Sequence, residues 1–349
     1  MINVLCAADF TDAQLDRFRL LSDKLKVDQV PIRLMMSYLK DPHISDPDHV
    51  HLKRLLRDAE IIYAFRIPAN PEEMPRLRWL QLATAGANKV LGHAILQREG
   101  LRVTTTSGIH AVPIAEYVLG SMMAFARQIP ALWERQQRAE WAKWRWAHTH
   151  NRELCGATIG ILGYGSIGRQ VARLARAFNM HVLAMKRDPS TMQDHGYGEP
   201  GIGDPEGVLP HAVYGYDQLQ TMLPRCDYVI LSLPLTPATK GMIDAVTLRM
   251  MKPSAYLVNI ARGEIVAESD LIRALKEGWI AGAGLDAFAQ EPLPADSELW
   301  QLKNAILTPH ISAATPAYDE RASTLFAENI GRYLQGEKLW NMVDPEIGY

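Results

Sequence analysis

TIGILGYGSIGRQVARLARAF, residues 158–178, decides the fold. The run TIGIL is apolar and β-prone, three glycines follow at Gly163, Gly165 and Gly168, and beyond them apolar residues recur at helical spacing. A strand, a tight glycine turn and a helix in that order open a dinucleotide-binding βαβ unit. The first glycine permits the turn, the second lets backbone approach a pyrophosphate, and the third lets the helix pack on the strand. The helix N-terminus is left to meet negative charge. A glycine turn without a ligand is the bland alternative, and the strand before and helix after it weigh against that.

Working outward, short apolar runs recur between helical patterns: INVLCAA, EIIYAF and RWLQLAT before the glycine turn, then HVLAMKR, DYVILSLP, AYLVNIA, IAGAGLDAF and AILTPH after it. Amphipathic stretches such as 168–178 and 269–276 lie between them as crossover helices. Alternation of this kind predicts parallel sheets and an α/β chain. At 349 residues the chain exceeds one core, so two domains are expected. Residues 129–152 hold Trp133, Trp141, Trp144 and Trp146 among many charges, which predicts a helix with one aromatic face. That face packs either within its own subunit or against a second copy; a homodimer is the expectation. From 189 to 215 glycine and proline crowd the chain, which predicts a long irregular surface loop. It follows the second strand of the nucleotide unit and so flanks the adenine end of a cofactor or is a plain solvated insertion.

Lysine and arginine total 37 against 39 acidic residues, with no long run of either sign, which argues against nucleic acid or an anionic membrane surface as partner. Cys6, Cys155 and Cys226 are odd in number and widely spaced, without metal-ligand spacing. They read as reduced packing residues of a cytoplasmic protein, with no metal expected. No leader-like start and no apolar stretch of membrane-spanning length is present in the sequence given.

The strand HVLAMKRDP ends on Lys186 and Arg187 where an acid would accept bonds from the adenosine ribose. Two cations there suit a 2′-phosphate, so NADP is the expected cofactor. NAD stays open, with Asp188 turned to the ribose and the Lys-Arg pair merely solvated. Three further residues follow strand-like runs: Arg262 in NIARGEIV, Glu291 in DAFAQEPLP and His310 in TPHIS. Reduction of a ketone by hydride needs a proton for the forming alkoxide, and histidine delivers one near neutral pH. His310 is therefore the candidate donor. Glu291 would orient the imidazole and favour the protonated form that reduction consumes. Arg262 offers a rigid fork that matches a carboxylate and polarises the neighbouring carbonyl, which selects 2-oxo acids. Each residue alone reads more simply as a structural histidine, a snorkelling arginine or a solvated glutamate; their joint placement after a dinucleotide motif carries the reading.

GYGSIG, LSLPLTPATKGMI, LVNIARGEIV, AGLDAFAQEPLP and ILTPHIS, in that order, resemble the D-isomer-specific 2-hydroxyacid dehydrogenase family. The likeness is close over 154–315; RWLQLATAGANKV and TTSGIHAVPIAEYVLGSMMA resemble the family's substrate-loop and crossover segments. The resemblance implies that Arg262, Glu291 and His310 form the catalytic set. It also implies that Ser166 and Ile167 bind pyrophosphate through backbone, that Pro234, Thr239 and Ala261 line the cofactor, and that Asp286 contacts its nicotinamide end. Backbone at Gly86 and Ala87 would help hold the substrate carboxylate. The implied layout is a Rossmann-type dinucleotide domain, 113–311, inserted into a flavodoxin-like substrate domain made of 1–112 and 312–349. Departures are Lys186 in place of an acid, DAF for DVF, and the length of the glycine-rich loop. The implied reaction is hydride exchange between a nicotinamide cofactor and a small 2-oxo or D-2-hydroxy acid, with glyoxylate or hydroxypyruvate as first guesses. Two rivals stand beside it: a redox sensor or corepressor-like module on the same fold, and a formate dehydrogenase-like activity, whose members carry glutamine where this chain has Glu291.

Overall fold

The computed structural model describes residues 1–87, 90, 92–141 and 151–344. The chain divides into two compact units, Met1–Ile109 with Thr315–Tyr349, and His110–Ala314. The inserted unit is three residues longer at each end than the sequence reading drew it, starting at 110 against 113 and ending at 314 against 311.

The first unit is built on five parallel strands, β1 Ile2–Ala7, β2 Leu25–Val30, β3 Ile61–Ala64, β4 Trp79–Leu82 and β5 Arg102–Thr104, in the order β2-β1-β3-β4-β5. This is the flavodoxin-like order, with its switch between β1 and β3. Helices α1 Asp12–Arg19, α2 Ile32–Lys40 and α3 Pro47–Asp58 connect the early strands. Thr11 starts α1 with a capping box shared with Gln14, and Asp46 caps α3 ahead of Pro47, which is pre-set for a first helical position. Leu52, Leu56, Leu80 and Leu82 fill one side of the sheet. An aromatic cluster of Phe10, Phe18, Tyr63, Trp79 and Phe326 fills another part of the core.

The second unit holds seven parallel strands: β6 Thr158–Leu162, β7 His181–Met185, β8 Ala212–Tyr214, β9 Tyr228–Leu231, β10 Tyr256–Asn259, β11 Gly282–Leu285 and β12 Ala305–Leu307. Their order is β12-β11-β10-β9-β6-β7-β8, so the strand order reverses between β6 and β9. Ligands of open α/β sheets bind at the carboxyl ends of strands at that reversal. The helices are α4 Ala111–Ala126, α5 Ile129–Gln137, α6 Ser166–Ala177, α7 Leu219–Met222, α8 Ala245–Met250 and α9 Glu268–Glu277; the last, α10 Tyr318–Gln335, returns the chain to the first unit. Nearly every residue of β6, β9, β10 and β11 is buried, as expected for strands covered on both faces. Two apolar clusters do the covering, one with Leu162, Leu231 and Leu257, the other with Ile161, Ile230 and Val258 from alternate positions of the same strands.

Four features differ from the sequence reading. The strands β2, β5 and β8 were not expected: LKVDQV interleaves Lys26, Asp28 and Gln29 because it lies at a sheet edge, and the other two are three residues long. Residues 189–215 are not wholly irregular, since they end in the edge strand β8 and bury Tyr197 and Asp204. Cys6 and Cys226 are buried packing residues, and burial pushes the Cys226 thiol up to about 12, but Cys155 is exposed. Among the described residues the tryptophan segment forms the helix α5, which presents Trp133; Trp144 and Trp146 lie outside the described residues, as do Asn88 and Lys89 of the substrate-loop segment.

Candidate active site

The glycine turn between β6 and α6 has the shape that a pyrophosphate requires. Gly163 has φ +100°, and a side chain there would meet Ser232 O at 2.7 Å. At Gly168 a Cβ would collide with Gly163 O at 2.2 Å, so strand and helix touch only because that atom is missing. At Gly165 a Cβ would meet no protein atom within 4 Å. Two glycines are thus demanded by the protein itself, while the middle one borders open space. Gly165 also caps α6 without a side-chain bond, and no acidic residue sits in the first turn of the helix. The backbone of Ser166 and Ile167 therefore begins a helix whose positive end is left for an anion. This donor set fits a dinucleotide pyrophosphate.

On the opposite side of the strand reversal, Ser232 at the end of β9 donates to Gly163 O at 2.8 Å and ties the two strand ends together. The 234–239 loop is closed by Thr239, whose fully buried hydroxyl donates to Pro234 O at 2.7 Å and accepts from Thr236 N at 2.8 Å. Thr239 thus shapes the loop that carries Pro234, and its hydroxyl is already committed to that task.

Beyond β10 the buried amide of Asn259 spans the next turn, accepting from Ala261 N at 3.1 Å and donating to Arg262 O at 3.0 Å. This holds Ala261 buried and Arg262 half-buried at the strand's carboxyl end. Gly263 follows because a Cβ there would lie 1.9 Å from the Phe288 carbonyl carbon. That close approach brings the Arg262 turn against the loop that leads to Glu291. Arg262 spends one N–H on Ala261 O at 2.7 Å and, among the described residues, keeps the rest of its fork.

Glu291 and His310 meet. His310 Nδ1 lies 3.0 Å from Glu291 Oε1 and 2.9 Å from Oε2, and Phe288 N donates to Oε1 at 3.1 Å. With Nδ1 facing the carboxylate, Nε2 is turned to the other side of the ring. His310 is built at φ +54°, in the left-handed region where a non-glycine residue costs about 1 kcal/mol or more. Asp286 holds that conformation. Its buried carboxylate accepts from Thr308 Oγ1 at 2.6 Å, Ile311 N at 2.9 Å and Ser312 N at 2.9 Å, pinning the chain on both sides of His310. Tyr117 extends the set with a 2.7 Å hydrogen bond to Thr308 Oγ1, and burial raises its phenol above the usual tyrosine range. Asp286, expected against the nicotinamide, has three donors within the protein, and these fix the His310 loop.

Lys186 and Arg187 stand directly after β7, at the end of the second strand of the nucleotide unit. The Asp188 carboxylate accepts from Ser190 N, Ser190 Oγ and Thr191 Oγ1 within its own turn, and those bonds hold it below the usual carboxylate range. Gly86 and Ala87 belong to the other unit, at the carboxyl end of β4, where Thr84 Oγ1 closes the turn on Gly86 O at 2.8 Å. Sequence reasoning missed Ser232, Asn259, Tyr117 and Thr308. Only Asn259 carried a signal, as a polar residue at the end of an apolar run immediately before the Arg262 turn.

Residues 119–312 match the family model described as D-isomer specific 2-hydroxyacid dehydrogenase, NAD binding domain. The chain is 36% identical over 284 residues to a glyoxylate reductase of Pyrococcus furiosus, covering 79% of this chain and 78% of that protein. Among solved structures it is similar to a D-isomer specific 2-hydroxyacid dehydrogenase family protein from Aeromonas salmonicida, with TM-score 0.76, 28% identity and 99% of both chains covered. A D-isomer specific 2-hydroxyacid dehydrogenase from Xanthobacter autotrophicus in complex with NADPH and MES gives TM-score 0.77 and 26% identity over 100% of this chain and 99% of that one.

Proposed function

This chain belongs to the D-isomer specific 2-hydroxyacid dehydrogenase family, and on that premise we propose that it reduces glyoxylate or hydroxypyruvate to the 2-hydroxy acid with NADPH. It is an NAD(P)-dependent oxidoreductase with a Rossmann-type domain. The observation that carries the further reading is the Glu291–His310 pair, held by Asp286 in the same unit as a phosphate turn whose middle glycine borders open space.

Gly163, Gly165, Ser166, Ile167 and Gly168 would hold the pyrophosphate, Lys186 and Arg187 the adenosine 2′-phosphate, and Pro234 and Ala261 the stretch between. When bound, the dinucleotide supplies a hydride for the carbonyl carbon of the substrate. Arg262 binds the substrate carboxylate and draws electron density from the carbonyl oxygen. His310 gives its Nε2 proton to that oxygen as the C–O bond becomes single, and Glu291 keeps its ring in place through Nδ1. The NADPH preference is supported by the two cations after β7, by the internal commitment of Asp188, and by the NADPH bound to the Xanthobacter relative. A cytoplasmic homodimer is part of the proposal: the cysteines are free, and Ile129, Leu132 and Trp133 of α5 are exposed apolar residues of the kind that dimer interfaces cover. Among the described residues no helix is long and apolar enough to cross a membrane.

Chiral analysis of the product tests the proposal. Incubation with hydroxypyruvate and NADPH should yield D-glycerate; L-glycerate, or no product from either 2-oxo acid, would contradict it.

A further inference from the structure

The glycine-rich segment after β7 is fastened to the phosphate turn by buried polar residues that the reaction does not use. Arg169, immediately after Gly168, is only 2% exposed, and its guanidinium enters the segment. One nitrogen donates to Asp204 O at 2.5 Å, a second to Met192 O at 2.6 Å, and Nε lies 3.2 Å from Asp194 Oδ2. The same guanidinium sits 4.9 Å from the centre of the Tyr164 ring. Tyr164, the residue between the first two glycines of the turn, donates its hydroxyl to Asp204 Oδ2 at 2.7 Å. Asp204 is buried and also accepts from Val208 N at 3.1 Å and Leu209 N at 2.9 Å, so one carboxylate organises the lobe and joins it to the turn. Gln170 accepts from Gly203 N at 2.7 Å beside it. A solvated insertion has no use for a buried arginine that donates to two of its carbonyls and lies beside one of its carboxylates, because burying that charge is costly unless it is paired.

The other end of the lobe meets Lys186, whose ammonium donates to Thr191 O. A lysine on a bare strand end wanders over many rotamers, and this one is tethered. We propose that the lobe of residues 189–211 is a specificity element for the adenosine 2′-phosphate, locked to the phosphate turn through Tyr164, Arg169 and Asp204 so that Lys186 is held ready for that phosphate. Asp204, Tyr164 and Arg169 are positioning residues in this arrangement, acting through Lys186. Burial and the charge of Arg169 hold the Lys186 ammonium below the usual lysine range, against the opposing pull of Asp194 and Asp188. The inference rests on the NADPH reading above.

Calorimetric titration with 2′,5′-ADP and with 5′-AMP separates the two, because the probes differ by the 2′-phosphate alone. The parent protein should bind 2′,5′-ADP more tightly, and Lys186→Ala should remove most of that preference. Asp204→Ala, which unfastens the lobe, should lower it by about tenfold, the loss of one charge-assisted contact. Tyr164→Phe, which removes one bond and keeps the ring, should lower it less. The double variant Asp204→Ala/Lys186→Ala should be no worse than Lys186→Ala. If Lys186→Ala abolishes the preference while Asp204→Ala and Tyr164→Phe leave it intact, or weaken both probes equally, the lobe has no part in specificity and the NADPH reading survives. If Lys186→Ala leaves the preference unchanged, the phosphate site itself is wrong and the inference falls with it.

Discussion

The two units are made to the same parallel plan, yet their strand ends carry different chemistry. In the five-stranded unit, polarity is spent inside the core: Trp79 Nε1 donates to Thr104 Oγ1 at 2.8 Å, Thr104 donates to Gln81 at 2.8 Å, and Asn329 donates to the same Gln81 oxygen at 3.2 Å. That network joins β4, β5 and α10. In the seven-stranded unit, polarity is spent at the carboxyl ends: Ser232, Asn259, Asp286 and Thr308 each hold a turn that presents the glycine cradle, Arg262 or His310. One sheet is held together by its polar groups, the other aims them. Fold alone therefore does not say which unit does chemistry; the partners of the strand-end residues do.

The comparison breaks hardest at His310. Its replacement by alanine should cut the turnover number about 10²- to 10⁴-fold and leave the dissociation constant for NADPH within a few-fold, read by fluorescence titration. Retained turnover would remove it as proton donor. Next is Arg262→Lys, which keeps the charge but loses the fork; kcat/KM for glyoxylate should fall about ten- to a hundred-fold, and unchanged kinetics would free Arg262 from substrate binding. On the other side of the comparison, Asn329→Ala strips donors from the core of the first unit. It should cost about 1–3 kcal/mol in a denaturant titration, with NADPH affinity unmoved. A loss of affinity without a loss of stability would show that the polar core serves the site. The smallest effect is a pH dependence. Lys186 is held below the usual lysine range, so its charge is present at neutral pH and is lost on raising the pH earlier than for an ordinary lysine. Affinity for 2′,5′-ADP should decline several-fold toward alkaline pH while affinity for 5′-AMP stays flatter. Parallel curves would uncouple Lys186 from the phosphate, whatever the states of the neighbouring Arg169, Asp194 and Asp188.

What could be read from the sequence follows the same division. TIGIL followed by GYGSIG specifies a strand, a turn and a helix because local sterics leave few alternatives, and the glycine roles are visible in the collisions that side chains at Gly163 and Gly168 would cause. Arg262, Glu291 and His310 were visible as reactive side chains just after apolar runs, and Glu291 and His310 do meet at hydrogen-bonding distance. What stayed hidden depends on contacts far apart in sequence. Asp286 meets donors 22 to 26 positions away, and Asp204 meets Tyr164 40 positions away. No local pattern encodes either. The same holds for β2 and β8: an edge strand alternates polar residues or is three residues long, and becomes a strand only because β1 or β7 is there to pair with it. Glycine and proline content hid the lobe, because composition reports what a segment cannot form alone and says nothing of a buried arginine that organises it.

The measurement that bears most directly on this account is the initial rate of NADPH oxidation against that of NADH, with purified protein and glyoxylate, hydroxypyruvate, pyruvate and phenylpyruvate in turn. Turnover with glyoxylate or hydroxypyruvate should be faster with NADPH than with NADH. Turnover that favours NADH would contradict the assignment of Lys186 and Arg187, and no turnover with either cofactor, despite measurable binding, would contradict the proposed substrates and roles of Arg262, Glu291 and His310.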